Sequence, residues 1–254
     1  MVRAGTAGGH DCGDGDVNRG FMAAWWRSFF IQACFNYDRM IGIGIGYAMA
    51  PMVRYLGRDV ARRAAGFFNA NPYLAPMAVG AIARAECDQV GEEPVVGLRN
   101  ALVAALGSVG DRLTWAGVMP AAVGVGLIVG VSISPLAGAI VFLTLYNIVL
   151  IPLRWWALRA GWREGLHVAQ ALNARRIQRS LRVVGPFGAM ALGIAIPLVA
   201  DWLLEDLARA ETIGAGAIAA AAIVLGRWVM PSLGGLRFGL IAAGLALIGG
   251  SLWP

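Results

Sequence analysis

Long runs of residues without a charged side chain fill the second half of the sequence. Residues 113–153 contain no Asp, Glu, Lys or Arg. Three more apolar stretches follow, at about 183–204, 213–230 and 236–252. Because a helix needs about 20 apolar residues to cross a bilayer, we predict two membrane spans in 113–153, with a break near 132–135. The region 183–254 should hold three more spans.

The first half of the sequence alternates apolar and polar residues on a helical period. Between residues 21 and 40, apolar side chains recur at steps of three and four. The polar side chains of this segment form a narrow stripe at Ser28, Gln32, Asn36 and Arg39. This pattern predicts an amphipathic helix. The helix should lie at the membrane interface, or pack as a core helix if a partner subunit covers it.

Two further apolar stretches, 72–83 and 101–110, are too short to span a bilayer. Helices of this length enter a membrane as re-entrant elements where surrounding protein satisfies their ends. The Gly- and Asp-rich residues 1–20 are expected to be a disordered tail, and 21–254 a single membrane domain whose part 21–112 holds the amphipathic and re-entrant helices. The predicted fold class is an all-α integral membrane protein with about five to six transmembrane helices.

Composition and charge support a membrane class and indicate an orientation. Hydrophobic residues make up 58% of the chain and charged residues 14%, whereas soluble domains carry about 25% charged residues. Residues 154–182 hold seven Arg against one acid, Glu164, so the positive-inside rule makes this segment a cytoplasmic loop. Three later spans would place Pro254 on the outer side. We expect no nucleic-acid partner, because a nucleic-acid surface would be unusual on a short loop between spans.

The motifs of common catalytic and metal sites are missing from the sequence. HExxH, GxSxG and the Walker loop do not occur, and His10 and His167 lack metal-ligand spacing. Gly42, Gly44 and Gly46 lack the preceding strand and the later glycine of a dinucleotide loop. Gly42 and Gly46 instead form a small-xxx-small pair that favours helix packing. We therefore predict no enzymatic activity, no catalytic residue, no cofactor and no bound metal.

Two polar islands interrupt the apolar sequence, FFNANPYL at 67–74 and GSVGDRLTW at 107–115. Polar groups at membrane depth usually face a cavity or a substrate path. Amide and carboxylate groups hydrogen-bond hydroxyl groups, and aromatic rings stack on the C–H face of a sugar. The candidate substrate-path residues are Asn69, Asn71, Tyr73, Asp111 and Trp115.

A structural interpretation of the same islands is equally open from spacing alone. Asn69 and Asn71 are residue types that cap helices well. Asp111 could pair with Arg112 or Arg99 at the membrane interface. The two interpretations differ in whether these side chains face a substrate or only other parts of the chain.

Three separate motifs resemble the mannose-family sugar phosphotransferase enzyme IID. The segment WRSFFIQACFNYDRM at 26–40 resembles that family's RS-x-x-x-Q-x-x-x-NYERM signature. The island at 67–74 resembles its FFNTHPYL, and the island at 107–115 resembles its GPLAGVGDPLFW. Asn147 and LRWWALRAGWREG at 153–165 are similar to its N…LRWYGL…GYRKG pattern. The resemblance covers about residues 21–254.

The sequence departs from this family pattern at a few positions. Asn71 stands where the family has His, and Arg112 stands where it has Pro. The paired acids of the family's ALEE segment are reduced to Glu86, which is followed by Cys87 and Asp88. The departures at Asn71 and Arg112 lie in the two polar islands, and together the departures leave the identity of the sugar open.

The resemblance implies a D subunit of a sugar permease, with several passes through the bacterial inner membrane. Such a subunit forms the path for hexose uptake with a membrane C subunit and with further copies of itself. Partner A and B proteins carry and transfer the phosphate, so this chain is not expected to be an enzyme. The 154–182 segment could dock the B protein, and lipid headgroups would fit it equally. A non-transporting docking or regulatory homologue of the permease is the alternative function.

Overall fold

The computed structural model describes residues 14–172 and 175–203, and its regular elements are helical. The chain forms two compact units, Met1–Ile196 and Pro197–Pro254, and the described part of the second is the end of the last helix. The helices of the described residues are α1 (Asp14–Ser28), α2 (Gly42–Met49), α3 (Arg58–Ala64), α4 (Ala75–Cys87), α5 (Glu92–Leu113), α6 (Met119–Ser132), α7 (Pro135–Glu164), α8 (Ala169–Leu172) and α9 (Arg175–Leu203). A π-helical turn, Thr114–Val118, joins α5 directly to α6.

Three helical stretches of the described chain are long and apolar enough to cross a membrane. They are Glu92–Ser132, Pro135–His167 and Ile177–Leu203. Their outer faces carry exposed apolar side chains, as at Leu136, which is 71% exposed. Lipid tails cover such surfaces in membrane proteins, so the all-α integral membrane fold class is confirmed. The apolar stretches at 213–230 and 236–252 lie outside the described residues.

The N-terminal helix lies further upstream than its sequence pattern predicts. Helix α1 begins at Asp14 and ends at Ser28, whereas we expected disorder up to residue 20 and a helix to residue 40. Helix growth is cooperative once a first turn has formed. The buried Phe21 and Ala24 anchor the helix, which then extends beyond them into the segment expected to be disordered.

A tight turn around Asn36 explains why the helix does not continue to residue 40. Asn36 and Met40 exchange both backbone hydrogen bonds, at 3.2 and 2.7 Å, and Asn36 Oδ1 accepts a further bond from Arg39 N at 2.9 Å. Asn side chains compete with helical hydrogen bonding in this way. The same turn is tied to the first polar island, because Phe68 N donates to Arg39 O at 3.2 Å.

Helix α4 forms the centre of the core and crosses α7 at a glycine contact. Residues 74–83 are all buried. A Cβ atom at Gly80 would lie 2.6 Å from Trp162 N, and one at Gly161 would lie 2.9 Å from Ala81 N. Both glycines therefore let the two backbones touch, as small residues do between membrane helices. This buried core helix stands where we expected the first re-entrant element.

Two other predicted segments are parts of longer helices. The apolar stretch 101–110 lies inside α5, which continues through the π turn into α6. The Arg-rich segment 154–182 is mostly helical rather than a loop, because α7 extends to Glu164 and α9 begins at Arg175. Long charged side chains at the end of a span reach the polar interface while their backbone stays helical. The charge pattern alone therefore predicted a longer loop between α7 and α9 than the structure shows.

Helices α6 and α7 form an antiparallel hairpin with small residues between them. Ser134 caps α7, since its Oγ accepts a hydrogen bond from Ala137 N at 3.2 Å. A Cβ atom at Gly138 would lie 2.6 Å from Gly130 Cα, so the helices are in backbone contact near the tip. On its other side α6 meets α9, where a Cβ atom at Gly124 would lie 2.7 Å from Leu192 N.

We expect the tip of the α6–α7 hairpin to face outward and the Arg-rich end of α7 to face the cytoplasm, because cytoplasmic ends retain Arg. Variants with one added cysteine at an exposed position, Ile133→Cys or His167→Cys, test this orientation. A membrane-impermeant maleimide should label Ile133→Cys in intact cells and His167→Cys only after permeabilisation. The wild-type chain measures the background from its own cysteines. The reverse labelling would mean that the protein is inserted the other way round.

Candidate functional site

Asn71 lies at the centre of the polar island that precedes α4. It is 2% exposed. Its Oδ1 accepts a hydrogen bond from Tyr73 N at 3.0 Å, and its backbone oxygen accepts one from Ala75 N at 2.9 Å, which starts α4. Its Nδ2 donates to Asp111 Oδ1 at 2.9 Å and to Thr114 Oγ1 at 2.8 Å. Both N–H groups and the carbonyl of this amide are thus used inside the protein.

Asp111 and Thr114 come from the joint between α5 and α6. The buried Thr114 hydroxyl donates to Gly110 O at 2.9 Å while it accepts from Asn71. Asp111 is exposed, and among the described residues its carboxylate accepts a hydrogen bond only from Asn71. The joint begins the π turn Thr114–Val118, and π turns are rare and concentrate at functional sites. The joint therefore presents a carboxylate that Asn71 holds in one orientation.

Aromatic rings from three parts of the chain meet beside this carboxylate. The Tyr73 ring centroid lies 5.7 Å from that of Trp115 and 6.0 Å from that of Tyr146, both in edge-on geometry. The hydroxyl groups of Tyr73 and Tyr146 are hydrogen-bonded at 2.7 Å. Phe142 stacks on Tyr146, one turn away on α7, with centroids 5.7 Å apart. Trp115 is exposed, so the aromatic group is open to the surroundings of the chain.

A buried arginine of α7 borders the same rings. Arg154 is 6% exposed, and its Cζ lies 4.7 Å from the Tyr73 ring centroid and 5.1 Å from that of Phe29. Its Nη1 donates to Ser28 O at 2.7 Å and to Pro72 O at 3.2 Å. A positive charge is therefore held against the ring of Tyr73. We use the name polar cluster for the following residues: Asn71, Tyr73, Asp111, Thr114, Trp115, Tyr146 and Arg154.

The structure brings together four of the five residues that the sequence indicated. These are Asn71, Tyr73, Asp111 and Trp115. Asn69 is exposed and forms no hydrogen bond to them within the described residues. Asn71 lies three residues before Leu74, the N-cap of α4, and its side chain does not cap that helix, so it is not the cap that the structural interpretation suggested. Its side chain instead accepts from Tyr73 N and donates to Asp111.

Asp111 has neither of the arginine partners that the structural interpretation suggested. The ion pairs between described residues do not include it. Arg99 instead donates to backbone oxygens of the segment that leads into the first island. Those acceptors are Ala64 O at 2.7 Å, Gly66 O at 3.0 Å and Phe67 O at 3.1 Å. Arg99 therefore fixes the backbone upstream of Asn71 and leaves the carboxylate to Asn71.

Sequence reasoning missed three members of the polar cluster: Thr114, Tyr146 and Arg154. Tyr146 carried a weak signal, since a hydroxyl group inside the uncharged run 113–153 needs a partner. Arg154 lies at the end of that run and could not be separated by charge from the other arginines of 154–182. Asn147, which lies in a family-like motif, donates to Leu143 O at 2.7 Å on its own helix and has no hydrogen bond to the cluster.

A helical membrane chain with a cluster of polar and aromatic side chains in contact with its spans has the architecture of a transport subunit. Comparison with known proteins gives the particular class. The family model described as "PTS system mannose/fructose/sorbose family IID component" matches residues 18–204. The chain therefore belongs to the IID component family of the phosphotransferase system, and the resemblance found in its motifs is confirmed. It is an integral membrane subunit of a sugar permease of that system.

Individual relatives match most of the chain. The sorbose-specific EIID component of Klebsiella pneumoniae is 27% identical over 238 residues, which cover 89% of this chain and 84% of that protein. The fructose permease IID component of Bacillus subtilis (strain 168) is 24% identical over 88% of this chain and 90% of its own length. The mannose-specific EIID component of Escherichia coli (strain K12) is 25% identical over 72% of this chain and 71% of its own.

Solved structures show the same fold. A chain of the mannose transporter ManYZ, determined in complex with microcin E492, superposes with a TM-score of 0.53 at 24% identity and covers 72% of this chain and 70% of its own. A structure described only as a membrane protein superposes with a TM-score of 0.69 at 20% identity, over 93% of this chain and 96% of its own. Components of this class work together with other phosphotransferase proteins, which carry out the phosphoryl transfer.

The contact between Gly110 and Asn71 gives a test of how tightly the polar cluster is packed. A Cβ atom at Gly110 would lie 2.7 Å from Asn71 Cγ, so Gly110→Ala should displace the amide. Overpacking of this kind costs about 1–3 kcal/mol. We expect a lower thermal midpoint for the purified protein in detergent.

Gly107→Ala is the matched control for this substitution. Gly107 lies one turn earlier on α5, and a Cβ atom there would meet nothing within 4 Å. Because Ala is a better helix former than Gly by about 1 kcal/mol, this variant should be as stable as the wild type or slightly more stable. Equal stability of the two variants would show that the cluster tolerates a displaced Asn71.

Proposed function

We propose that the polar cluster is this chain's part of the path for a hexose, formed together with a membrane C subunit. The observation that supports it most strongly is the placement of Asp111. Its carboxylate accepts a hydrogen bond from Asn71, is exposed, and lies about one helical turn before Trp115. Ionisable groups in membrane segments usually face a cavity or a substrate path, and a carboxylate with one free oxygen can accept hydrogen bonds from a polyol.

The cluster residues would have different roles in this path. Asp111 would accept hydrogen bonds from sugar hydroxyl groups through the oxygen that Asn71 does not occupy. The rings of Tyr73 and Trp115 would pack on the apolar C–H face. Asn71 would position Asp111, because its own groups are already bonded inside the chain. The exposed Asn69, two residues before Asn71, would contact the sugar from the rim.

Partner proteins would complete the permease. The names of the relatives include sorbose, fructose and mannose, so we propose a ketohexose or aldohexose as the substrate. Phosphorylated B and A proteins would supply the phosphate at the cytoplasmic side, and further copies of this chain would join the assembly. Exposed arginines at the ends of α7 and α9 would offer the B protein a positive surface, at Arg163, Arg175, Arg179 and Arg182.

Substitutions in the polar cluster test the sugar path. Asp111→Asn keeps the size of the side chain and removes its charge, and Asn71→Ala releases the carboxylate. In the purified complex with a C subunit, we expect each variant to bind the preferred sugar among D-mannose, D-fructose and L-sorbose about tenfold more weakly, which corresponds to about 1.4 kcal/mol. Titration calorimetry of the assembled complex measures this directly.

Asp59→Asn serves as the control for the loss of a carboxylate. Asp59 is exposed on α3 and pairs with Arg62 at 3.6 Å, away from the cluster, so sugar binding should be unchanged. Unchanged binding in Asp111→Asn as well, with normal assembly, would assign the cluster to the scaffold and reject the proposed path.

The end of α1 is proposed as the contact with the C subunit. Trp25 and Phe29 turn inward, where the Trp25 ring packs against Trp155 with centroids 5.5 Å apart. Trp26 and Phe30 point outward and are 59% and 57% exposed. Large aromatic side chains dominate the energetics of buried contacts, so an outward aromatic pair at a helix end fits a protein partner or lipid.

Replacement of both outward rings by Asp should show whether the C subunit or lipid covers this face. We expect Trp26→Asp with Phe30→Asp to reduce co-purification of the C subunit, because two charges would have to be buried without partners. The double variant Gln89→Asp with Asn100→Asp adds the same charge at exposed polar positions and should assemble normally. Wild-type yield of the complex from the aromatic variant would show that lipid, not the C subunit, covers this face.

A further inference from the structure

Arg154 is a buried cation inside a membrane span. It is 6% exposed and lies within the candidate span Pro135–His167. Between described residues, ion pairs join Arg62 to Asp59, Arg63 to Glu86 and Arg84 to Asp88, and none includes Arg154. Its described partners are two backbone oxygens and two aromatic rings. An ionised group at such a position is costly and marks a functional site more often than a structural one.

The two oxygens bound by Arg154 belong to segments that are far apart in the sequence. Ser28 is the last residue of α1, and Pro72 lies between Asn71 and Tyr73 in the first polar island. One nitrogen, Nη1, donates to both. The guanidinium plane is also shared, since it lies over Phe29 after α1 and over Tyr73 in the island. The end of α1 and the backbone of the island are therefore connected through a single side chain.

This connection joins two surfaces with different proposed partners. The end of α1 presents Trp26 and Phe30 outward, and the island carries the Tyr73 ring of the polar cluster. A shift of the end of α1 would move Ser28 O, and Arg154 would then lose either that bond or its position over Tyr73. Ser28 itself is fully buried, and its Oγ donates to Trp25 O at 2.6 Å, so Ser28 is tied to the last turn of α1.

We propose that Arg154 is a positioning residue that sets the orientation of Tyr73 for the sugar and couples it to the end of α1. The proposal rests on the proposed function of the polar cluster. Arg154 does not need to touch the sugar. It acts through the backbone of Pro72 and through the face of the Tyr73 ring, and both depend on where α1 ends.

A double-mutant cycle between Arg154→Gln and Tyr73→Leu tests this proposal. Coupled residues give non-additive effects, whereas independent residues give additive ones. We expect each single variant to weaken binding of the preferred sugar among D-mannose, D-fructose and L-sorbose about tenfold, and the double variant to be no weaker than the worse single variant. The purified complex with the C subunit is used throughout.

A second arginine on the same helix provides the control. Arg159 is exposed, and its Cζ lies 4.8 Å from the Trp155 ring centroid, so it forms a cation–π contact without touching the cluster. Arg159→Gln should leave sugar affinity unchanged. In Arg154→Gln, amide hydrogen exchange should become faster around both Ile31 and Ala75. Ile31 N donates to Ser28 O, one of the two oxygens that Arg154 binds, and Ala75 N donates to Asn71 O, next to the other. In Arg159→Gln, exchange should be unchanged at both positions.

The outcomes separate this proposal from the proposed function. Unchanged affinity in Arg154→Gln, or additive losses in the cycle, would overturn the positioning role. If Arg154→Gln does not assemble, the same cycle is run on Arg154→Lys, which keeps the charge and can reach both oxygens but loses the planar stack on Tyr73. If Asp111→Asn weakens binding and the Arg154 variants do not, only the positioning role fails. If none of these variants affects binding, the proposed sugar path fails too.

Discussion

The close crossing of α4 and α7 determines how the part of the polar cluster before α4 lies against the part on α7. Gly80 and Gly161 allow the two backbones to touch. The first polar island leads directly into α4, and Tyr146 and Arg154 lie on α7 before Gly161. The spacing of the two helices therefore fixes the distances between Tyr73, Tyr146 and Arg154. A methyl group at either glycine would push the helices apart, and the hydroxyl pair at 2.7 Å could not form. Backbone packing between small residues thus controls the geometry of side chains several turns away.

The polar groups near this crossing are tolerated because their hydrogen-bonding needs are met. An ionised Arg buried in a membrane helix is costly when it lacks partners. Hydrogen bonds to backbone oxygens and contacts with aromatic ring faces replace the hydration that the guanidinium group loses. The two carbonyl bonds and two ring contacts of Arg154 therefore offset its burial. Asn71 follows the same rule with three side-chain bonds. Asp111 differs, because only one of its oxygens is bonded by a described residue.

The membrane class and the chemistry of the site could be predicted from the sequence, and the contacts within the site could not. The uncharged run 113–153 and the Arg-rich segment after it follow from transfer energies of single side chains, which need no tertiary structure. Asn71 and Asp111 were selected as polar groups in apolar surroundings, and the structure joins them across forty residues of sequence. The end of α1 at Ser28 was missed because Asn36 bonds its own backbone turn. Tyr146 and Arg154 were missed because their partners depend on how two helices cross, which periodicity does not encode.

The π turn Thr114–Val118 changes the direction in which the side chains of α6 point relative to those of α5. Each residue of an α-helix turns the chain by about 100°, and a π turn holds one residue more than an α turn. The two halves of the stretch Glu92–Ser132 can therefore contact different neighbours. Gly110 and Asp111 of α5 face Asn71. In α6, Gly124 faces α9 and Gly126 faces α7. Deletion of a single residue here would restore a uniform helix and rotate one set of contacts away from its neighbours. The length of this turn thus matters as much for the contacts of this chain as the identity of the side chains it carries.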